Sequence, residues 1–562
     1  MNVLRLISAA AAGLVLTACS SGDINLSPST AVTDSNNVTN SGGASANDVC
    51  ASYAKNGQTF QGTADANGNC SYGPEFVGPK NNLSVDLFIP ALPNGGAHIF
   101  NTSLFVGDTF RTQADLAAAG IAKGGDGPTL TVEAGATLAF ETNKDFIIIN
   151  RGSRILANGT VDKPITFTSV SDVNGTVGPE DVQQWGGIVI NGFAVSNKCS
   201  YTGTRGQAGF AVTAGSECSI EAEGSAGDDE SQYGGDNDAD DSGILRYVVV
   251  KHTGAEVANG DELNGISFGA VGNATVVENL EVYSTFDDGI EMFGGSVNIN
   301  NFVALYARDD SLDIDEGYSG TVTNALAIQS EFDGNNCIEA DGIGSYSSLT
   351  QATKDDFIAR GLNSRPTINN LTCIISANIG GTHGEGAGWR LREGIWPTIN
   401  DSIVISSFAA NDVTAPDDNY CLRIDNVETQ EAAINGNLQL NSVIFACQEN
   451  EKGSTISDRN GVVAFVGEKA FAESVGNQFA TVADGAVKNP TSANDADLLL
   501  LEGVQPVYSV LWTASLVDGA APIATTQPTG NFLGGVSLSN DWTAGWTYGI
   551  ADTNRGQPLW FE

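Results

Sequence analysis

Basic residues are scarce in this 562-residue chain, which has 25 Lys and Arg against 67 Asp and Glu and a formal net charge of −42 at pH 7. A surface with this charge repels nucleic acid and anionic lipid headgroups, so neither is an expected partner. The same carboxylates attract divalent cations, or keep the protein soluble in a salty medium. Composition leaves both roles open.

Methionine and histidine are also scarce, with 2 Met and 3 His, whereas glycine is abundant at 67 residues. Little methionine and much glycine are typical of a regular core joined by many tight turns. The sequence contains no CxxC motif, and His98, His252 and His383 lie far from any pair of cysteines. This pattern argues against structural zinc.

Four segments of the chain can be aligned with one another. Each begins with a polar residue and a small residue, and continues with alternating apolar and polar residues. Their first residues lie 24, 22 and 26 positions apart. A repeat of this length predicts stacked units, and the period of two makes each unit a strand, so the fold class is all-β, a parallel β-helix with N- and C-terminal caps. The segments are Asn264-Gly265-Ile266-Ser267-Phe268, Asp288-Gly289-Ile290-Glu291-Met292, Asp310-Ser311-Leu312-Asp313-Ile314 and Asn336-Cys337-Ile338-Glu339-Ala340.

The start of the chain has the pattern of an export signal. Residues 6–16 form an apolar run that follows a short basic end and is too short to span a bilayer. The run ends in Leu16-Thr17-Ala18-Cys19, which resembles the bacterial lipobox. The resemblance implies acylation of Cys19, and Ser20 in place of Asp implies sorting to the outer membrane. An ordinary signal peptide with a chance cysteine is the alternative.

Composition divides the rest of the chain. A stretch rich in Ser, Asn, Thr and Gly follows Cys19 and predicts a flexible tether. An Ala-rich piece at 115–122 predicts a short helix, and recurring Asn after Ile or Val predicts a column of stacked turn residues. The predicted domains are a signal peptide at 1–18, a tether at 19–48, an N-terminal cap region at 49–128, the β-helix at 129–465 with an acidic insertion at 196–243, and C-terminal coils and a cap at 466–562.

Eight cysteines remain once Cys19 is set aside as the anchor. An even number in an exported chain predicts disulfides, and pairing neighbours in the sequence is the simplest arrangement. The predicted pairs are Cys50–Cys70, Cys199–Cys218, Cys337–Cys373 and Cys421–Cys447.

Paired acidic residues open two adjacent repeats, Asp287-Asp288 and Asp309-Asp310, with Asp313 further along the second strand. Adjacent strands lie about 4.8 Å apart, so these carboxylates should form an acidic patch. Bound Ca²⁺ would relieve their repulsion, as would raised pKa values suited to acid/base catalysis. Solvated turn residues are the third interpretation.

A second acidic stretch contains Asp236, Asp238 and Asp240 at alternate positions in a loop. Alternating carboxylates are able to wrap around Ca²⁺, although the stretch is not an EF-hand. A solvated acidic loop is the alternative to a metal site.

A glycine-rich stretch around His383 is followed by Arg390 and Arg392. These residue types occur in glycan-cleaving sites, but the acidic repeats lie well before His383 in the sequence, so the groups need not meet. The alternative is a glycine-rich turn beside arginines that form salt bridges.

Several stretches resemble the right-handed β-helices of the pectin-lyase-like superfamily, and more closely a group of bacterial outer-membrane or surface lipoproteins, including spirochaete and marine-bacterial ones. The resemblance implies the fold and the location, and hardly bears on activity. The stretches are Trp185-Gly186-Gly187-Ile188, Tyr233-Gly234-Gly235-Asp236, Leu245-Arg246-Tyr247, Asp287-Asp288-Gly289-Ile290-Glu291, Asp309-Asp310-Ser311-Leu312-Asp313, Gly317-Tyr318 and Trp542-Thr543-Ala544-Gly545-Trp546.

These observations favour an outer-membrane lipoprotein, on the surface or periplasmic face, with a non-catalytic binding or accessory role. Ca²⁺ is the cofactor that its acidic positions would take. An outer-membrane transporter or a surface glycan is the expected partner. A polysaccharide lyase or glycoside hydrolase is the alternative, and a structural role in the envelope is a third.

Overall fold

Parallel β-strands dominate the computed structural model of this chain. The structure describes residues 49–562 except 122–123, 225–230, 259–260, 377–379, 385, 407–418, 448, 453–476, 480, 484–485, 489–496, 501–508, 512–531, 537–540, 552 and 561–562. The predicted signal peptide, Cys19 and the tether lie outside the described residues. The described residues belong to the compact unit Ala46–Glu562. Among them, no helix is long and apolar enough to cross a membrane.

The first described part of the chain contains nine short strands and one α-helix. The Thr112 hydroxyl caps this helix by accepting from the Asp115 N–H, and left-handed Gly120 ends it, which confirms the helix expected in the Ala-rich piece. The elements are β1 (Ser52–Lys55), β2 (Gln58–Gln61), β3 (Thr63–Ala64), β4 (Cys70–Tyr72), β5 (Leu87–Ile89), β6 (Ala97–Phe100), β7 (Leu104–Val106), α1 (Gln113–Ala119), β8 (Thr129–Val132) and β9 (Thr137–Phe140).

The next part contains the acidic insertion, in which β14 pairs with β15, and β16 with β17, as short antiparallel ladders. The elements are β10 (Ile147–Ile149), β11 (Arg154–Asn158), β12 (Ile165–Ser169), α2 (Val170–Val173), β13 (Ile188–Asn191), β14 (Tyr201–Thr202), β15 (Ala211–Val212), β16 (Ile220–Glu221), β17 (Gln232–Tyr233), β18 (Gly243–Thr253), β19 (Glu256–Ala258) and β20 (Asp261–Glu262).

The central part contains the four aligned repeats, and the structure places them in register. Ile266 pairs with Ile290, Ile290 with Leu312, and Leu312 with Ile338. The elements are β21 (Ile266–Gly269), β22 (Val276–Thr285), β23 (Ile290–Phe293), β24 (Asn298–Ala307), β25 (Leu312–Asp315), β26 (Thr321–Ile328), β27 (Asn336–Asp341), α3 (Gln351–Ala359), β28 (Thr367–Ile375), β29 (Ala387–Arg392), β30 (Thr398–Asn400), β31 (Ile403–Ser406), β32 (Tyr420–Ile424), α4 (Val427–Asn435), β33 (Gln439–Asn441), β34 (Ile444–Ala446) and β35 (Glu449–Lys452).

The last part contributes six short strands between its undescribed stretches. They are β36 (Gln478–Phe479), β37 (Thr481–Ala483), β38 (Ala486–Lys488), β39 (Asp497–Leu500), β40 (Ser509–Leu511) and β41 (Phe532–Gly534).

Two large sheets carry the architecture. The ten-stranded sheet runs β7-β10-β13-β21-β23-β25-β27-β29-β32-β35. In the eighteen-stranded sheet, β18, β22, β24, β26 and β28 pair in parallel one after another. Parallel pairing also joins β4 to β6 and β6 to β9, so the strands β4 and β6, which precede the boundary expected at residue 129, belong to the same sheet.

Asparagine columns form where the long strands bend. Asn279, Asn301 and Asn324 each have a positive φ, which asparagine tolerates better than most residues. The Asn301 side-chain amide donates to Asn279 Oδ1 at 3.0 Å, and the Asn324 amide donates to Asn301 Oδ1 at 2.9 Å. The expected stacked turn position is confirmed.

Alternate residues of the strands in the two large sheets face a common core. Ile290 and Met292 are fully buried in it, while Glu291 between them faces outward from the same strand. Burying a side chain of this size stabilises the fold by about 1.5–3 kcal/mol. The four disulfides are confirmed in the predicted pairing, as Cys50–Cys70, Cys199–Cys218, Cys337–Cys373 and Cys421–Cys447.

A second apolar cluster lies on the outer face of the long strands, where it is covered by described residues of the segment 532–560, here called the C-terminal segment. Leu533 and Trp542 pack there against outward residues of the strands, and the Tyr548 N–H donates to Oε2 of buried Glu281 at 2.7 Å. The sequence places Trp542 in a C-terminal cap, and the structure places it on this side face. Outward residues such as Leu326 are apolar and need the cover.

Candidate functional site

A column of Asn and Asp side chains lies at the start of four consecutive strands of the ten-stranded sheet. The Asp288 N–H donates to Asn264 Oδ1 at 3.1 Å, the Asp310 N–H to Asp288 Oδ1 at 2.9 Å, and the Asn336 N–H to Asp310 Oδ1 at 2.6 Å. Each side chain thus binds the backbone of the next repeat, which explains why short acceptor side chains recur there. Only one carboxylate oxygen of each Asp is used in this way.

The carboxylates of this column converge with their neighbours into what we call the acidic patch. Ligand oxygens of Asp288, Asp309 and Asp310 lie within 4.8 Å of one another, and so do those of Asp288, Glu291 and Asp313. Asp288 and Asp310 are only 6% and 4% exposed, so these two are not the solvated turn residues of the third interpretation. The acidic patch consists of Asp287, Asp288, Glu291, Asp309, Asp310 and Asp313.

Burial and mutual repulsion favour the neutral forms of Asp287, Asp288 and Asp310. Burial, and then the charge of Asp309, raise the pKa of Asp287 to about 7. Burial is also the main cause that raises the pKa values of Asp288 and Asp310 well above their usual range, with neighbouring carboxylates adding to it. The patch therefore holds either protons or a cation at neutral pH, because so many desolvated charges repel one another strongly.

The insertion adds a carboxylate that the sequence did not point to. The Asn264 side-chain amide donates to Glu223 Oε2 at 2.6 Å and to Glu291 Oε2 at 2.8 Å. Oδ1 of Asp313 is buried and has no hydrogen-bond partner among the described residues. The acidity of the insertion was visible in the sequence, but the contact of Glu223 with the patch depends on how the insertion folds back.

His383 reaches the acidic patch from a later loop. Its Nδ1 lies 3.1 Å from Asp309 Oδ2, an ion-pair distance without the alignment of a good hydrogen bond. Burial opposes protonation of His383, but Asp309, Asp287 and Asp333 outweigh it and raise the imidazole pKa. The structure thus brings together a histidine and carboxylates that are distant in sequence.

The comparisons with known proteins agree with this architecture. The family model described as the pectate-lyase like beta helix domain matches residues 112–495. The chain belongs to this family. Searches of curated proteins and of solved structures gave no match. Membership of the β-helix family confirms the pectin-lyase-like part of the resemblance, and a shared fold does not by itself assign a reaction.

In this β-helix protein, basic side chains follow the acidic ones along the outward face of the ten-stranded sheet. In the outward column, Asp313 pairs in register with Glu339, and Glu339 with Arg390. Arg390 lies 3.4 Å from Glu339, and Arg392 forms salt bridges with Glu339 and Asp341. These ion pairs agree with the interpretation of the arginines as salt-bridged residues.

The other predicted acidic loop of the β-helix protein is built differently. Asp238 forms a bidentate pair with Arg205 at 2.8 and 2.7 Å, Asp236 accepts from the Val212 N–H, and Asp240 from the Phe193 N–H. The structure gives these three carboxylates separate partners and, within the described residues, does not group them as metal ligands. Calcium binding in this loop stays a prediction.

Proposed function

We propose that this β-helix protein is a calcium-binding lipoprotein of the outer membrane, anchored at Cys19, that holds a surface glycan without cleaving it. The observation that carries the proposal is that Asp288 belongs to two sets of three carboxylates. Within each set, the ligand oxygens lie within 4.8 Å of one another. Ca²⁺ takes six to eight oxygen ligands in flexible geometry, which suits such a set.

Charge supports a divalent ion in particular. Two carboxylates 4.8 Å apart repel by about 3–4 kcal/mol at an effective dielectric of 20, and Asp288 has at least four acidic neighbours in the patch. A bound Ca²⁺ turns this repulsion into attraction. Three oxygens would serve as ligands. Oδ1 of Asp313 has no hydrogen-bond partner among the described residues, and Oδ2 of Asp288 and of Asp310 takes no part in the backbone contacts that their Oδ1 atoms accept.

The architectural part of the proposal is a right-handed coil closed by N- and C-terminal caps, with the tether of residues 19–48 leading to the membrane. In-register parallel pairing along the ten-stranded sheet supports the coil. The signal and lipobox pattern at residues 1–19 supports the anchor. An outer-membrane transporter that receives the ligand fits the same location.

A carboxylated glycan is the ligand class that fits the charged face. The net charge of −42 would by itself repel an anionic glycan. Bound Ca²⁺ would overcome this repulsion by bridging the carboxylates of the protein to those of the glycan. Arg390 and Arg392 lie further along the same face, where they pair with Glu339 and Asp341 and reduce the negative charge that an anionic chain would meet.

Calorimetric titration with Ca²⁺ tests the proposal. The wild-type protein should bind Ca²⁺, Asp288→Asn should weaken binding at least tenfold, and the exposed control Asp108→Asn should not. Carboxylated glycans should bind in Ca²⁺ and not in EDTA. A flat wild-type titration would refute the metal site, and glycan binding unaffected by EDTA would refute the bridging role.

Glycan cleavage is the second candidate, favoured by family membership together with carboxyls whose pKa values lie near or above neutrality. Burial, followed by the charges of Glu316 and Asp341, raises the pKa of Asp315 on the outward face to about 8, which suits a general acid. Assays for reducing ends and unsaturated products across acidic and neutral glycans decide between the candidates. Turnover that Asp288→Asn or Asp310→Asn abolishes would overturn the non-catalytic proposal.

A further inference from the structure

Three side chains from three places in the chain converge at one edge of the ten-stranded sheet: Asp287, Asp309 and His383. Their ligand atoms all lie within 4.8 Å of one another. We propose that this trio, here called the His383 cluster, binds a transition-metal ion such as Zn²⁺ or Mn²⁺, at a site that shares Asp309 with the calcium ligands and differs from them in its imidazole nitrogen.

Neighbouring groups fix the orientation of the potential ligands. The Asn335 side-chain amide donates to Asp309 Oδ1 at 2.8 Å, which leaves Oδ2 facing His383. The His383 ring lies edge-on to Phe286, with ring centroids 4.7 Å apart. Outer contacts of this kind, which hold a carboxylate and an imidazole in place, are typical of metal ligands.

The loop that carries His383 is itself tied down. The Thr382 N–H donates to Asp333 Oδ1 at 2.7 Å, and Asp333 also lies 3.6 Å from Arg308. These contacts connect the loop to residues just before β25 and β27. His383 therefore returns to the acidic patch through contacts of its own loop, and does not arrive there by the strand register.

The donor set distinguishes this site from the calcium proposal. An imidazole nitrogen suits Zn²⁺ and the two carboxylates suit Mn²⁺, whereas Ca²⁺ prefers oxygen ligands alone. Two carboxylates and a neutral imidazole balance the charge of one divalent ion. The His383 and Asp309 side chains are 19% and 27% exposed, so an ion has access from solvent and keeps positions open for water or a ligand.

The experiment titrates the mature full-length protein, purified without a histidine tag, with Zn²⁺ alone and with Ca²⁺ alone by calorimetry. Co²⁺ serves as a spectroscopic probe, because visible absorption bands report nitrogen and oxygen coordination. The variants are His383→Gln and Asp287→Asn for the cluster, Glu291→Gln for the calcium ligands, and Asp108→Asn as the exposed control. Circular dichroism checks that each variant is folded.

The wild-type protein should bind one Zn²⁺ at the cluster. His383→Gln and Asp287→Asn should each weaken zinc binding at least tenfold and remove the cobalt bands, while Glu291→Gln and Asp108→Asn keep both. His383→Gln should leave the calcium isotherm unchanged. Zinc binding that is absent in the wild type, or equal in wild type and His383→Gln, overturns the inference. A wild-type protein that binds Zn²⁺ but not Ca²⁺ would overturn the proposed function and leave this inference standing.

Discussion

Replacing Asp288 and Asp310 together with asparagine should change stability in opposite directions with and without calcium. Asn264 already occupies the same column and accepts the same backbone contact through its side-chain oxygen, so asparagine at positions 288 and 310 keeps the hydrogen bonds. It removes two charges that lie within 4.8 Å of other carboxylates. One such contact costs about 3–4 kcal/mol at an effective dielectric of 20, which is an upper bound because protonation relieves part of it.

In EDTA, the double variant should therefore unfold at a higher urea concentration than the wild type. Its free energy of unfolding should be larger by up to about 3 kcal/mol. In calcium at a hundredfold excess over Kd, the wild type gains about 2.7 kcal/mol that the variant lacks, so the difference shrinks or reverses. Urea unfolding of both proteins at pH 8 in the two buffers measures this, with Asp108→Asn as control. Equal shifts of both proteins on adding calcium would refute the reasoning.

Four further outcomes follow. In EDTA, stability should fall as pH rises from about 4 to about 7. Asp287 alone contributes a slope of up to about 1.4 kcal/mol per pH unit, because its ordinary pKa is 3.8 and its folded pKa is about 7, so the folded state holds a proton that the unfolded chain releases. The raised pKa values of Asp288 and Asp310 add to this slope, and a flat profile of urea midpoints would contradict the prediction. Burial raises the pKa of Glu281 well above its usual range, so Glu281→Gln should raise the melting temperature by about 2–4 °C at pH 8 and change it little at pH 5. Asn301→Ala should cost about 1–3 kcal/mol in urea unfolding, since it removes two side-chain hydrogen bonds at a positive φ, whereas the exposed neighbour Asn300→Ala should cost little. Cys19→Ala should leave unprocessed or shed protein in membrane fractionation, and unchanged retention would argue against the lipid anchor.

The periodic part of the fold was predictable because alternation fixes which side of a strand is buried. Ile266, Ile290, Leu312 and Ile338 align in the sequence and pair in register in the structure. The disulfide pairing followed from the order of the cysteines. The side packing of the C-terminal segment did not follow, since its aromatic residues have no period that ties them to a particular strand face.

The acidic patch was predictable for the same reason as the register, since Asp288 and Asp310 occupy equivalent positions in neighbouring repeats. The contacts of Glu223 and His383 were not, because both residues lie in irregular segments whose paths depend on tertiary contacts. The strong burial of Asp288 also escaped the sequence, which suggested solvated turn residues as one interpretation.

The cover over the outer face of the long strands has a consequence for the order of folding. Neighbouring repeats are close in sequence and can pair as soon as they are complete, whereas the Tyr548 N–H bonds to Glu281, 267 positions earlier. Closing so long a loop is slow, and it cannot begin before residue 548 has been made. The outward residues Leu305 and Leu326 therefore stay exposed while the chain is being synthesised. Truncation near the C-terminus should consequently cause aggregation of a chain whose repeats are otherwise intact.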